Sequence, residues 1–361
     1  MAELNQVRIF RIEEKKKQYR SSLLFLKIGV LALFLLVPFF SPSFKTLDVA
    51  MNIVIFSVLV ASFDILLGYT GILSFAHGMF FGIGAYSVAL LAGKYGSPSY
   101  TMLITGIVLA VAIACALALL ISFLSLRVKA IFFAMVTLAI AELAIVLATK
   151  LSGFSGGEDG ISLNMPGIFS LSFSMGHVWG TEIGGRLLTY YLILFSCVVL
   201  FLAMLRFTHS PMGRVLQAIR DNSRRAEAIG YRTFIFQTAS ITFGCAIATI
   251  SGGLYAMWVG YVNPESCLGV MTIMLDVLLM VIIGGMGTLY GGIAGAAFLK
   301  IAQTFLPDLQ NLTKGLFPHA ALLNSILERW LLLFGILFIL VVIFFPKGII
   351  GSLRDYRTRR A

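Results

Sequence analysis

The chain has 361 residues, of which 59% are hydrophobic and 12% charged, with mean hydropathy +0.96 and a formal net charge of +11. Soluble domains carry about 25% charged residues, and a chain of this length could not hide so much apolar surface from water, so a water-soluble enzyme or adaptor is excluded. The basic residues are spread between apolar runs instead of gathering into a nucleic-acid-binding patch.

Those runs, bounded by charge or by Gly/Pro clusters, predict an all-α polytopic bundle of about ten membrane segments, near 22–40, 47–67, 72–93, 100–124, 129–150, 187–206, 233–259, 271–288, 290–306 and 327–345. A basic head, 1–21, precedes the first segment. That segment reads as a retained anchor, because its apolar run is long and SPSF (41–44) offers no A-x-A cleavage site. With the N-terminus inside, ten crossings return the tail, 353–361, to the same side. Nineteen Lys and Arg then fall on cytoplasmic pieces and six on outer ones, the bias expected of a correct orientation. The body, 22–352, reads as one membrane domain with an outer loop at 151–186 and a cytoplasmic loop at 207–232. The four cysteines (Cys115, Cys197, Cys245, Cys267) have no CxxC spacing and predict neither a metal site nor a disulfide framework.

The third segment opens with GYTGILSFAHGMFFGIGAY, Gly68–Tyr86. Gly68 and Gly71 fall at a cytoplasmic turn, while Gly78 and Gly82 form a GxxxG pair that lets a second helix approach closely. A second cluster, IGGMGTLYGGIAG (Ile283–Gly295), holds Gly284 and Gly285 and steps through Gly287, Gly291 and Gly295 along one predicted helix face. Both clusters lie on the cytoplasmic side by parity. They are candidates for a translocation path, with simple helix packing as the alternative.

Asp64, His77, Glu142 and Asp276 interrupt apolar stretches, where polar groups are costly. Each can serve as a coupling or substrate-contacting group or as an interhelical hydrogen bond. Asp276, early in the eighth segment, is placed to meet an entering ligand. The sequence offers no paired intramembrane acid and base, no convergent polar set for tight binding, and no HExxH or GxxxxGK[ST] motif. The stretch RFTHSPMGRVLQAIRDNSRRAEAIGYR, Arg206–Arg232, predicts one mixed-charge helix from Gly213 to Ile229, opened by Pro211 and ended by Gly230. Its apolar face comprises Val215, Leu216, Ile219, Ala226 and Ile229. Such a helix can dock a soluble partner or lie on anionic lipid.

These segments, in order, resemble the branched-chain amino acid permease family of bacterial ABC importers, and its longer permease subunit in particular. The likeness rests on residues 68–86, on FFAMVTLAIAE (132–142), SGGEDGI (155–161), GRVLQAIRDNSRRAEAIGY (213–231), LLMVIIGGMGTLYG (278–291) and ERWLLLFGILFILVVIFFPKGIIG (328–351). The resemblance implies a multi-pass subunit of the bacterial inner membrane that is not itself an enzyme and holds no cofactor. It implies a second homologous permease, two ATP-binding subunits that carry ATP and Mg, and an extracytoplasmic substrate-binding protein. It further implies that the 213–230 helix couples to the ATPases, with Ala218, Arg220, Arg224, Glu227 and Gly230 as the candidate contacts. Glu227-Ala228 stands two residues before Gly230, closer than the general EAA-loop pattern of importers has it. Asp64 replaces an expected uncharged polar residue, and Pro307–Ser325 is long for the family. A permease for urea or short amides shares most of these motifs. An ion-coupled secondary transporter using Glu142 or Asp276, or a channel, are readings of other classes.

Overall fold

The computed structural model describes residues 29, 31–40, 43–94, 99–125, 130–170, 173–178, 181–316, 330–346 and 348–352. The basic segment 1–21, the tail 353–361 and residues 317–325 of the long outer stretch lie outside the described residues.

The chain folds as an all-α bundle, as its apolar runs predict. Helix α1 (Leu31–Phe40) leads into α2 (Phe44–Asp64), which runs on through a π-helical turn, Ile65–Thr70. Then come α3 (His77–Val88), which ends in a second π turn, Ala89–Lys94, α4 (Tyr100–Ser125) and α5 (Ala130–Lys150). Helix α6 (Gly185–His209) precedes two short helices, α7 (Pro211–Asp221) and α8 (Ser223–Ala228), and the long α9 (Thr233–Val259). A short α10 (Pro264–Leu268) and a π turn, Val270–Met274, feed α11 (Leu275–Gly284). Helices α12 (Leu289–Leu316) and α13 (Trp330–Phe344) follow.

Among the described residues, seven helices are long and apolar enough to cross a membrane. The expected segments 22–40, 72–93 and 271–288 correspond to shorter apolar helices, Leu31–Phe40, His77–Gly93 and Val270–Gly284. The segment between α5 and α6 enters two small antiparallel pairings, one of them with the stretch between α9 and α10. Strand β1 (Ile161–Ser162) pairs with β4 (Tyr261–Val262), and β2 (Ser174–Val178) with β3 (Thr181–Gly184).

Helix α2 is the axis. It packs against α12, α9, α6 and α11, and 94% of its span is buried. By contrast, 17% of the α5 span and 6% of the Leu332–Ser352 span are buried. Lipid tails solvate such faces as well as leucine would.

Polar satisfaction explains local choices. Pro38 in α1 lacks the N–H that would bond the Phe34 carbonyl. The Tyr190 hydroxyl of α6 donates to that carbonyl instead, at 2.7 Å, and Tyr191 donates to the Leu35 carbonyl at 3.0 Å. Helices α3 and α9 meet through glycines on both sides. A Cβ on Gly84 would overlap the Thr249 carbonyl, and one on Gly252 the Phe81 carbonyl. Only backbone fits there, so van der Waals contact replaces side-chain interlock.

Candidate functional site

The two glycine clusters meet at one end of the bundle, on the face that carries the Arg206–Arg232 loop. Gly71 ends the π turn of α2 at φ 74°, and Gly287 turns the α11–α12 connection at φ 79°, both left-handed conformations that a side chain would strain. Asp64 lies between them, 1% exposed, and its Oδ1 accepts the Gly287 N–H at 2.8 Å. Arg220 of α7 reaches in from the loop. Its guanidinium donates to the Gly68 carbonyl, and its charge acts on Asp64. The space is filled closely: a Cβ on Gly287 would stand 3.2 Å from an Arg220 guanidinium nitrogen, and one on Gly71 would stand 3.4 Å from Arg220 Cγ. Five residues from three separate stretches of sequence thus form one junction. The acid at position 64 has a structural account here, as the acceptor for a turn of another helix pair.

The loop departs from the single helix that its periodicity predicts. Asn222 is extended, and its side chain accepts the Arg225 N–H at 3.0 Å, so it starts a second helix and splits the stretch into α7 and α8. Ser210 caps α7 and Pro211 occupies its first turn. Leu216, Ile219 and Ala226 are buried, whereas Ile229 is 69% exposed and leaves the apolar face. All five candidate coupling residues, Ala218, Arg220, Arg224, Glu227 and Gly230, are exposed. Glu227 accepts from the Thr233 hydroxyl at 2.6 Å, which ties the end of α8 to the start of α9. Leu205, Arg206, His209, Ser210 and Pro211 line a surface cleft of about 500 Å³ beside α7.

The glycine steps also differ in detail from expectation. Gly287 sits in the turn, not on a helix face. Across the α11–α12 hairpin, added Cβ atoms on Gly284 and Gly295 would overlap the Gly291 and Met280 carbonyls, and one on Gly291 would stand 2.9 Å from the Gly284 carbonyl. Gly285 packs against Gly348, where a Cβ would overlap its backbone. On α3, a Cβ on Gly82 would overlap the Leu268 side chain, but one on Gly78 would meet Met274 at an ordinary 3.5 Å. Sequence spacing picked out Gly78 and missed Gly84 and Gly252, since the facing helix was unknown.

Polar groups within the spans fall into three kinds. His77 is fully enclosed, and its Nε2 pairs with the Ser62 hydroxyl at 2.8 Å. Glu142, midway along α5, is exposed and has no partner among the described residues. Asp276 has partners that the sequence did not suggest. Lys300 Nζ of α12 donates to Asp276 Oδ2 at 3.1 Å and to Gln303 Oε1 at 3.1 Å. The Gln303 amide donates to both carboxylate oxygens, at 3.1 and 3.0 Å. A paired intramembrane acid and base therefore exists, contrary to the sequence reading. Asp276 and Lys300 stand 24 positions apart on opposite arms of the α11–α12 hairpin, a symmetry that a hairpin reading could have found. Nearer the far end of α2, Asp48 accepts from Trp258 Nε1 at 2.9 Å and from Asn52 at 3.1 Å.

Comparison with known proteins gives a consistent picture. A family model described as "Branched-chain amino acid transport system / permease component" matches residues 45–342. The high-affinity branched-chain amino acid transport system permease protein LivM of Escherichia coli is 28% identical over 330 residues, covering 87% of this chain and 72% of that protein. The permease protein LivH of Escherichia coli is 25% identical over 257 residues, covering 69% of this chain and 80% of the relative. The permease protein BraD of Pseudomonas aeruginosa is 24% identical over 307 residues, covering 82% and 91%. No solved structure matches the chain.

Proposed function

The chain belongs to the family of permease components of branched-chain amino acid transport systems, and from that membership we propose that it forms half of the membrane pathway of an ATP-driven importer for branched-chain, hydrophobic amino acids. It is a transport subunit and carries no phosphate-binding loop of its own. In this reading it sits in a bacterial inner membrane with both termini in the cytoplasm. ATP and Mg are bound by two separate ATPase subunits, and an extracytoplasmic binding protein delivers the ligand. The other half is a second, homologous permease. Similarity to relatives named both LivM and LivH supports such a pair.

The observation that carries the mechanism is the Arg220 junction. The exposed faces of α7 and α8 present Ala218, Arg224 and Glu227 to a soluble partner, with Gly230 just beyond α8. Arg220 is itself exposed at the surface, but its guanidinium reaches in to the Gly68 carbonyl. Arg220 accordingly links the docking surface to the interior. Movement of α7 by an ATPase shifts the turn of α2 and, through Asp64, the turn between α11 and α12. No covalent chemistry is involved: nucleotide-driven closure alternately exposes the bundle to either side.

Uptake of labelled leucine and labelled urea in a strain lacking its own carriers tests the substrate class. ATP-dependent accumulation of leucine, with the chain co-purifying with two ATPases, is the expected result. Accumulation of urea alone selects the amide-permease reading. The Asp276–Lys300 pair is the one feature that favours an ion-coupled carrier. Accumulation by the purified chain under an ion gradient, with no ATPase present, would establish that alternative.

A further inference from the structure

The ion cluster joining α11 and α12 lies deep in the bundle. Lys300 stands about 17 Å along α12 from Leu289, and Phe56, whose ring Lys300 covers, about 18 Å along α2 from Phe44. In a hydrocarbon core of about 30 Å, both are near the middle. Ionisable groups at that depth are expensive and mark sites of function unless a structural role accounts for them. Two features point away from a purely structural pair. The Asp276 and Lys300 side chains retain 15% and 16% of their accessible surface, so the pair is not sealed. Asp276 is also the second residue of α11, directly after the π turn Val270–Met274, which widens an otherwise continuous helix, Val270–Gly284. Such single π turns within helices occur frequently at functional sites.

We propose that Asp276, Lys300 and Gln303 form a transit site for the charged end of a zwitterionic amino acid. The α-ammonium takes the place of Lys300 on Asp276 and Gln303 Oε1, while the α-carboxylate takes the place of Asp276 on Lys300 and the Gln303 amide. Each bond in the resting cluster is exchanged for one of the same kind, because a zwitterion carries the same two charges as the pair it divides. Lys300 Nζ rests 3.8 Å above the Phe56 ring, and Phe56 meets Tyr255 edge-on with centroids 6.1 Å apart. An apolar side chain following the charged end into the site meets an aromatic surface. Since the empty site satisfies itself, the net gain on occupancy comes from the apolar side chain against the aromatic rings, enough to hold the substrate measurably and still release it. This inference rests on the transport reading above and adds the residues that would contact the substrate.

The test uses the whole transporter, with both permeases, its ATPases and its binding protein, in proteoliposomes. Asp276→Asn combined with Lys300→Gln keeps a hydrogen-bonded cluster with Gln303 but removes both charges, a change that buried pairs commonly tolerate. Co-purification of the variant with its partner subunits checks assembly, and leucine uptake should fall by about 10- to 100-fold, the factor carried by a charge-assisted hydrogen bond. Uptake within about twofold of wild type would overturn the site, since the net contribution of an ordinary neutral bond already exceeds that. A second measurement does not depend on any variant folding. Labelled leucine bound to the wild-type complex without its binding protein should be displaced by leucine, but about tenfold or more less well by 3-methylbutylamine or 4-methylpentanoate, which each lack one charge. Equal displacement by the three compounds overturns the proposal. Wild-type uptake with unchanged variant uptake sinks this site alone; a wild-type complex that takes up no leucine sinks the transport reading and the site with it.

Discussion

Helices α2 and α5 look alike in composition and differ completely in setting. Their mean hydropathies over the membrane-spanning window are 2.2 and 2.5, yet 94% of the first window and 17% of the second are buried. The acids follow the helices. Asp48 and Asp64 on α2 find Trp258, Asn52 and Gly287 within the chain. Glu142 on α5 finds nothing among the described residues. Among these contacts, α5 is held at Thr137, whose hydroxyl accepts the Phe75 N–H at 3.1 Å, and at Ala148, whose carbonyl accepts from Ser155. The lesson is that α2 is finished by its own chain, whereas the α5 face of Met135, Leu138, Ala139, Glu142 and Val146 is finished by something else. A bare carboxylate does not face hydrocarbon without water or protein beside it, and in the proposed importer the second permease would supply it.

The largest effect that would break this comparison belongs to α2. Asp64→Ala removes the acceptor from a buried Gly287 N–H and leaves a void in an enclosed site, so it should lower the stability of the purified chain by about 3 kcal/mol. Thermal unfolding in detergent measures it. A melting curve unchanged from wild type would mean that α2 is not completed by its own chain.

Glu142→Leu should behave in the opposite way. Among the described residues Glu142 makes no bond to lose, so the melting temperature of the isolated chain should hold or rise. Leucine uptake by the assembled transporter should fall by about tenfold or more, as the loss of one charge-assisted contact implies. A variant that destabilised the isolated chain as strongly as Asp64→Ala would erase the distinction between the two helices.

Much of the plan was legible because hydropathy is a local property. Apolar runs placed the helices, and the arginines, Pro211 and Gly230 bounded the loop. What was missed depends on partners distant in sequence. Arg220 and Gly68 lie 152 positions apart, and Asp64 and Gly287 lie 223 apart, so neither contact leaves a spacing to read. The split at Asn222 did leave one. Asn followed by Ser-Arg-Arg is a helix-start signal, but it was overridden by an apolar periodicity that runs across it. Of the candidate glycines, Gly71 and Gly287 fall at turns, Gly284, Gly285 and Gly291 in or beside the α11–α12 hairpin, and Gly78 and Gly82 on α3. Their spacing could not rank them, because close approach is a property of two surfaces and a sequence shows one.

The smallest prediction carries the same contrast down to one helix and two residues. Gly78 and Gly82 are a single turn apart on α3 and look equivalent in a GxxxG pattern. The Cβ that alanine adds at Gly82 would overlap the Leu268 side chain and stand 2.9 Å from the Cys267 carbonyl. Close packing leaves little room to absorb it, so Gly82→Ala should destabilise by about 1–2 kcal/mol. The same change at Gly78 brings an ordinary contact with Met274 at 3.5 Å. There the gain in helix propensity, about 1 kcal/mol, stands unopposed, and Gly78→Ala should melt at or slightly above wild type. Paired thermal scans of the two variants decide the matter. Equal loss at both positions would mean that the groove acts as one surface, and that the spacing motif carries more of the packing than the individual contacts do.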